Sequence, residues 1–583
     1  MTLPFRAALG ASPRSSGEAR APAQTLFRVW APLAQDGRVW VVDQGGERFE
    51  LADEGYGVFC AEAPIGPGED YGFALADGAA PLADPCSRHQ PDGLRGLSRV
   101  LDPTAFGWSD DGWVIPPLAE QVIYELHVGA FTPQGTFAAA AEHLGELAEL
   151  GIRAVELMPV ADFPGVRGWG YDGVYISAAH RAYGGPEGLA AFVDAAHGAG
   201  VAVILDVVYN HVGASGSAAL EAFGPYLTEK YQTFWGKAVN YDDAECDAVR
   251  EWVAQSATGW VRDFHIDGLR LDAIHAFHDS SPTHIVAEIA ERVHTARPGA
   301  IVIAESGFND ARVIRPREVG GWGCDAQWAD DFHHSLHALL THDHDGYYED
   351  YGRVADLAKA YHRPFVYDGQ WSGSRRRSFG APAEDRRPEQ FVVFDQNHDQ
   401  VGNRARGDRL AAAVQPLAAF CTLLSPFVPL LFMGEEYGER APFQFFTDHI
   451  DPDIAEATRE GRREEFAEFE GFEGQVPDPQ SPATFERSKL RRAGSPVVAE
   501  LYRELLAARR GLSGEAEVSF DESARWLRAR REGGEIVCNF SAAPLLVEIE
   551  AGRRLVLATD RDTRLEPDSC TLRMTPMSGA LIA

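Results

Sequence analysis

Charged residues gather at one end of several apolar runs, and their types suit one chemistry. Asp206 lies within 201–208 (VAVILDVV), with Asn210 and His211 just past its end. Arg270 and Asp272 close 268–272 (GLRLD), and His275 follows. Glu305 ends 300–305 (AIVIAE), while His398 and Asp399 follow 391–395 (FVVFD). Any one of these carboxylates reads equally well as a helix cap or a solvated loop residue; together with an arginine and histidines they read as a site. Such a set suits cleavage of a glycosidic bond. The oxocarbenium-like transition state needs one protonated carboxyl at the leaving oxygen and one ionised carboxylate at the anomeric carbon. A relatively apolar setting raises the acid, and an adjacent arginine holds its partner ionised. Arg270 stands two residues before Asp272 in a strand, so both side chains point to one face. Glu305, reaching in from the adjacent strand, is the better candidate for the acid.

The elements that must position these residues alternate in texture. Strand-length apolar runs occur at 121–127, 154–159, 201–208, 268–272, 300–305, 391–395 and 428–433, with 325–328 (DAQW) a weaker eighth. Continuous apolar strands are buried on both faces, as in a parallel sheet covered by helices. Helical spacing fills 137–150, 186–200 and 287–296 between them. Eight β-α units predict an α/β fold, a (β/α)8 TIM barrel over 111–510, whose site is built at the C-terminal ends of its strands. The stretch 211–244 has no strong period and reads as an excursion after the third strand.

The flanks differ. Residues 1–110 carry short alternating stretches split by Gly, Pro and Asp, which predicts an N-terminal all-β, immunoglobulin-like domain. The run 101–117, rich in Asp, Gly and Pro, reads as a linker. Ser495-Pro496 opens a helix to about Arg510. Five strand-like runs from 516 to 558 then predict a C-terminal β-sandwich over 511–583.

The chain has 583 residues, 45% of them hydrophobic, with 53 Lys and Arg against 87 Asp and Glu, a net charge of −34. That balance disfavours nucleic acid and anionic membranes as partners, since both attract cations, yet leaves a neutral substrate fully compatible. An odd number of scattered cysteines, seven without a C-x-x-C pair, argues against a disulfide framework or a cysteine-rich zinc site. Residues 1–20 lack a signal-peptide core, and no apolar run is long enough to span a membrane, so a cytoplasmic protein is expected.

Four segments carry a resemblance: 206–211 (DVVYNH), 268–276 (GLRLDAIHA), 303–306 (IAES) and 396–400 (QNHDQ), in that order. The chain resembles the α-amylase superfamily, glycoside hydrolase family 13. By matching positions, the resemblance implies a retaining double displacement with Asp272 as nucleophile, Glu305 as general acid/base and Asp399 as transition-state stabiliser. It implies sugar binding by Arg270, His211 and His398, a polar network around Asp206, and a stacking role for Tyr171. Retention further implies main carboxyl groups roughly 5–5.5 Å apart. Secreted α-amylases carry Lys-His after the nucleophile, where this chain has Ala273-Ile274-His275-Ala276. Their calcium site is represented here only by the Asn210 counterpart, so no metal and no cofactor are expected. Segments 124–137, 268–276 and especially 394–408 (FDQNHDQVGNRARGD) look most like the maltooligosyltrehalose trehalohydrolase family. That family hydrolyses the α-1,4 bond next to a terminal α,α-trehalose, which makes maltooligosyl trehalose or a related α-glucan the expected partner. A glucan branching or debranching enzyme with the same carboxylates is the alternative.

Aromatics near the mouth are candidate sugar platforms, because pyranose rings present apolar faces. Trp169 and Trp235 stand out among Trp169, Trp235, Trp322, Trp328, Trp371 and Phe379: the first flanks Tyr171, the second lies in the excursion. His333, His334 and His337, with His342 and His344 beyond, fit no zinc motif and read as surface or cleft histidines.

Overall fold

The computed structural model describes residues 3–14, 24–233, 235–467, 476–566 and 570–583. Residues 1–2 and 15–20 of the N-terminal segment read for a signal peptide lie outside that set. Eight parallel strands close a barrel in chain order: Ile123–Leu126, Ala154–Leu157, Ala202–Val207, Gly268–Leu271, Ile301–Ala304, Ala326–Trp328, Phe391–Val393 and Val428–Phe432. The short DAQW run is the sixth of them. Side chains alternate in and out along each strand. The lower inward layers are apolar, with Ile123, Ile204, Ile303, Val392, Phe394 and Leu430 in one cluster. One register step higher the interior turns polar, with Glu125 opposite Glu156 and Asp206 opposite Arg270. Gly268 lets the fourth and fifth strands approach, since a Cβ there would lie 2.7 Å from the Ile301 carbonyl oxygen.

Helices cover the outside. The segment read as one helix at 137–150 is two, Phe137–Ala141 and Leu144–Leu150; Thr136 caps the first by accepting the Ala139 N–H. Gly185–Gly198 and Ile285–Ala296 follow the second and fourth strands, the latter capped by the His284 ring.

The 101–117 segment is more than a linker. Trp113, Ile115 and Leu118 pack beneath the barrel's apolar interior. The Trp113 Nε1–H donates to Asp267 at 2.9 Å, and its ring stacks on His197 at 4.5 Å. A barrel floor left open would expose that interior to water, which explains why apolar residues are embedded in a Pro- and Asp-rich run.

Residues before the barrel form two four-stranded sheets, packed around Phe27, Val29, Val41 and Phe73. The tail forms a five-stranded and a three-stranded sheet around Val537, Val547, Leu572 and Met574. Three of its strands, Arg564–Leu565, Thr571–Met574 and Ser578–Ile582, were not expected; their runs are short and broken by Asp, Pro and Met. The excursion contains a helix, Ser217–Phe223, and a hairpin of Leu227–Thr233 with Gly236–Val239. It rests on the N-terminal unit: the Leu33 N–H donates to Phe223 O at 3.1 Å, and Tyr226 meets Trp30 edge-on at 5.2 Å.

His333 and His334 correct the expectation of surface or cleft histidines. Both are buried in the helix Asp330–Thr341. The His333 ring bridges Asp395 O at 2.9 Å and Tyr348 Oη at 2.8 Å and stacks on His337. Burial lowers both imidazole pKa values, so the rings act as neutral packing groups.

Candidate active site

Arg270 organises the mouth. Its guanidinium is fully buried, lies over Trp328 with 4.3 Å to the ring centre, and reaches three carboxylates. Nη1 donates to Asp206 Oδ1 and Oδ2 at 3.0 and 2.9 Å and to Asp272 Oδ1 at 2.8 Å. Nη2 stands 3.0 Å from Glu305 Oε2. A guanidinium out of water is tolerable only when paired, and here both terminal nitrogens stand within ion-pair distance of carboxyl groups. Asp272 Oδ2 accepts a further bond from Asn210 Nδ2 at 2.6 Å. Ala273 follows in the left-handed region at φ 41, unusual for a residue with a Cβ. That turn points its N–H at Glu305 Oε2, 2.7 Å away. Both ends of the Arg270–Asp272 run therefore bind neighbouring strands.

The seventh strand's loop brings in His398 and Asp399. His398 Nε2 lies 2.7 Å from Tyr171 Oη and 3.4 Å from Asp399 Oδ2. Tyr171 donates to Asp206 Oδ2 at 2.7 Å, and its ring stacks on His398. Asn403 Nδ2 donates to Asp399 Oδ1 at 3.1 Å. Gly170 makes the Tyr171 turn feasible: at φ +101, a Cβ would meet the Pro159 carbonyl oxygen at 2.2 Å. His211 contacts Asn210 through Nδ1 and the Tyr171 carbonyl through Nε2, the latter at 2.9 Å.

Charge and burial set the protonation states. Glu305 is pushed up to about 8, first by loss of solvent and further by Asp272 and Asp399, with Arg270 opposing. It is therefore a carboxylic acid at neutral pH. Burial works against a charge on His398, but Asp399 and Glu125 overcome it and raise the imidazolium to about 10.

Three carboxyl groups near the mouth were missed from sequence. Glu125, on the first strand, grips His398. Glu156, beside it in register, has neither oxygen hydrogen-bonded among the described residues. Burial and the Glu125 charge push its carboxyl well above the usual range. Asp330, after the sixth strand, is raised to about 7 by desolvation and by the nearby charge of Asp399. The available signal was a glutamate inside an apolar strand at an inward register, the same signal that marked Asp206.

Aromatics divide clearly. Trp235 is 45% exposed and stacks on His211 with centroids 4.7 Å apart. Trp169 departs from the expectation of a sugar platform. It is buried, stacks on Phe443 at 5.2 Å, donates Nε1–H to Gln444 O at 3.0 Å and abuts His398 edge-on, so it backs the site instead of facing it. Trp322 stacks on His284, Trp328 supports Arg270, and Phe379 is buried under Arg375. Among the described residues no group of three or more His, Cys, Asp or Glu is arranged to hold a metal ion.

Comparison with known proteins adds names to this geometry. The family model described as alpha amylase, catalytic domain, matches residues 102–239, and one for a domain of unknown function, DUF3459, matches 511–581. Malto-oligosyltrehalose trehalohydrolase of Rhizobium sp. (strain M-11) is 44% identical, with 95% of this chain and 97% of that protein covered. The protein of the same name from Saccharolobus solfataricus is 43% identical over 92% of this chain and 94% of its own. A crystal structure of an alpha-amylase-type chain from Salmonella typhimurium superposes with a TM-score of 0.87 at 37% identity, covering 99% of each chain. A 1,4-alpha-glucan branching enzyme from Nocardia farcinica is more distant, 28% identical over 74% of this chain and 60% of that protein.

Proposed function

The chain belongs to the malto-oligosyltrehalose trehalohydrolases of the α-amylase superfamily, and from that membership we propose that it hydrolyses the α-1,4 bond next to a terminal trehalose, with retention, and releases trehalose. The observation that carries this reading is the Arg270 fork, which holds Asp272 and Glu305 on adjacent nitrogens of one guanidinium. That closeness favours the tight carboxyl pair of a retaining enzyme over the wider pair that an inverting enzyme needs to seat its water.

In the proposed reaction Asp272 attacks the anomeric carbon while Glu305, protonated at neutral pH, gives its proton to the departing oxygen of trehalose. The glycosyl ester on Asp272 is then opened by water, which Glu305, now ionised, deprotonates. Water's oxygen ends on the anomeric carbon, Asp272 leaves as carboxylate, and Glu305 regains its proton. Asp399 and the His398 imidazolium flank the sugar as positive charge develops on its ring. Arg270, His211 and Tyr171 hold the cleaved residue, with Asp206 fixing Tyr171 and Arg270 from behind. Trp235, 45% exposed beside His211, is the aromatic on which a glucose unit stacks. The substrate is an uncharged glucan, in keeping with an acidic protein. The seven cysteines, with no disulfide among the described residues, support residence in the reducing cytoplasm.

Incubation with maltotriosyl trehalose should liberate free trehalose, with little action on plain maltooligosaccharides. Rapid random cleavage of amylose without preference for trehalose-ended chains would sink the assignment. Loss of iodine staining without new reducing ends would point to branching instead.

A further inference from the structure

Glu125 lies at the bottom of the site and out of reach of any substrate. It is 1% exposed, on the first barrel strand, and both carboxylate oxygens go to one residue of the seventh-strand loop. Oε2 accepts the backbone N–H of His398 at 2.8 Å, and Oε1 accepts Nδ1–H at 2.5 Å. Two bonds from one carboxylate to one residue fix both the position of the loop and the tautomer of the ring. With Nδ1 committed as a donor, Nε2 is the only ring nitrogen left for the mouth, where it meets Tyr171 Oη and Asp399 Oδ2.

The hydrogen-bond directions then follow as a chain. Tyr171 has one hydroxyl hydrogen and gives it to Asp206, which is itself committed to accepting from Arg270. Tyr171 Oη must therefore accept from His398, so Nε2 carries a proton, as Nδ1 does. We propose that Glu125 is a positioning residue that holds His398 as a doubly protonated imidazolium, aimed at Tyr171, Asp399 and the sugar in the cleaved subsite.

Other groups also bear on that ring. Asp399 in the same loop, Asp206 on the third strand and Glu156 on the second face it, as does Arg270 on the fourth. His127, just past the first strand, lies close enough to repel a charge on it. Unlike these, Glu125 bonds ring Nδ1 through one oxygen and the same residue's backbone N–H through the other. A buried carboxylate paired with a buried imidazolium is costly to break from either side, because the survivor is left as an unpaired charge.

The inference rests on the glycosidase reading of the site, and its test separates the two. Glu125→Gln keeps the shape and one acceptor but removes the charge. The ratio of variant to wild-type kcat is read from pH 5 to 9, so that the limb due to Glu305 cancels. The expected ratio is near the wild-type level at pH 5 and falls about tenfold or more by pH 8, as the imidazole loses its second proton, with KM changed by less than threefold. In an His398→Gln background, Glu125→Gln should cost less than a further twofold, because the two groups act as one. A pH-independent ratio, or an undiminished cost in that background, would overturn the proposal. If the variant does not fold, NMR titration of the wild-type His398 decides. The ring should stay protonated beyond pH 9, and a midpoint below 7 would refute the proposal. A wild type inert on trehalose-ended and plain glucans alike would instead overturn the glycosidase reading.

Discussion

Glu305 and Asp272 share an arginine but have different surroundings. Asp272 is held by Arg270 through one oxygen and Asn210 through the other. Glu305 has a single backbone donor and a poorly solvated pocket, and its pKa near 8 follows from that imbalance. Its raised value means that the proton needed for leaving-group departure is present below about pH 8 and lost above it. The kcat profile should therefore fall on its basic side near pH 8. Glu305→Gln should abolish that limb; a glycosyl fluoride, whose leaving group needs no proton, should restore the first step, read as a burst of fluoride, while opening of the ester stays slow without its base. Asp272→Asn should lower kcat by roughly 10⁴-fold or more, as loss of a covalent nucleophile does, with the melting temperature nearly unchanged. Arg270→Met leaves Asp206, Asp272 and Glu305 facing one another without a counter-charge. It should cost about 3–5 kcal/mol of stability, read as a lowered denaturation midpoint.

At the scale of elements, the barrel strands set where these side chains start and the loops set where they end. The turn through Trp169, Gly170 and Tyr171 illustrates this. Its glycine is the one position at which a side chain would strike the Pro159 carbonyl. Gly170→Ala should displace Tyr171 from His398 and Asp206, lowering kcat at least tenfold, while circular dichroism shows the barrel intact. The excursion's hairpin presents Trp235 over His211. Trp235→Ala should raise KM several-fold on trehalose-ended oligosaccharides with a smaller change in kcat, since one stacking face is worth about 0.5–1.5 kcal/mol. Strand positions were legible in the sequence because continuous apolar runs bounded by polar residues have few other interpretations. Trp169 and His333 were not, because an aromatic ring reads the same in a cleft or in a core, and only the packed neighbours distinguish the two.

For the whole molecule, the net charge of −34 bears on kinetics more than on the site. A neutral glucan gains nothing from long-range steering. Raising ionic strength from 0.02 to 0.5 M, which shortens the screening length several-fold, should leave kcat/KM within about twofold. The units flanking the barrel are structurally tied to it. In the tail, Arg531 Nη1 donates to the Leu424 and Ser425 carbonyls, beside the eighth strand, and Cys538 lies against Cys421 with sulfurs 3.7 Å apart. At the front, the N-terminal unit carries the excursion on Trp30 and Leu33. Both sets of contacts join residues more than a hundred positions apart, so neither left a trace in local sequence.

By itself, the sequence determined which residues alternate into the barrel, the order of its strands and the acidic set at their ends, because these follow from local periodicity and short spacing. Tertiary structure alone decided which of those groups share a counter-ion, which carry a proton and which aromatics are exposed. Glu125 and His398 are 273 residues apart and Asp206 and Arg270 are 64 apart, yet each pair is in direct contact. Protonation depends on burial and on charges a few ångströms away, and those distances do not exist until the barrel closes.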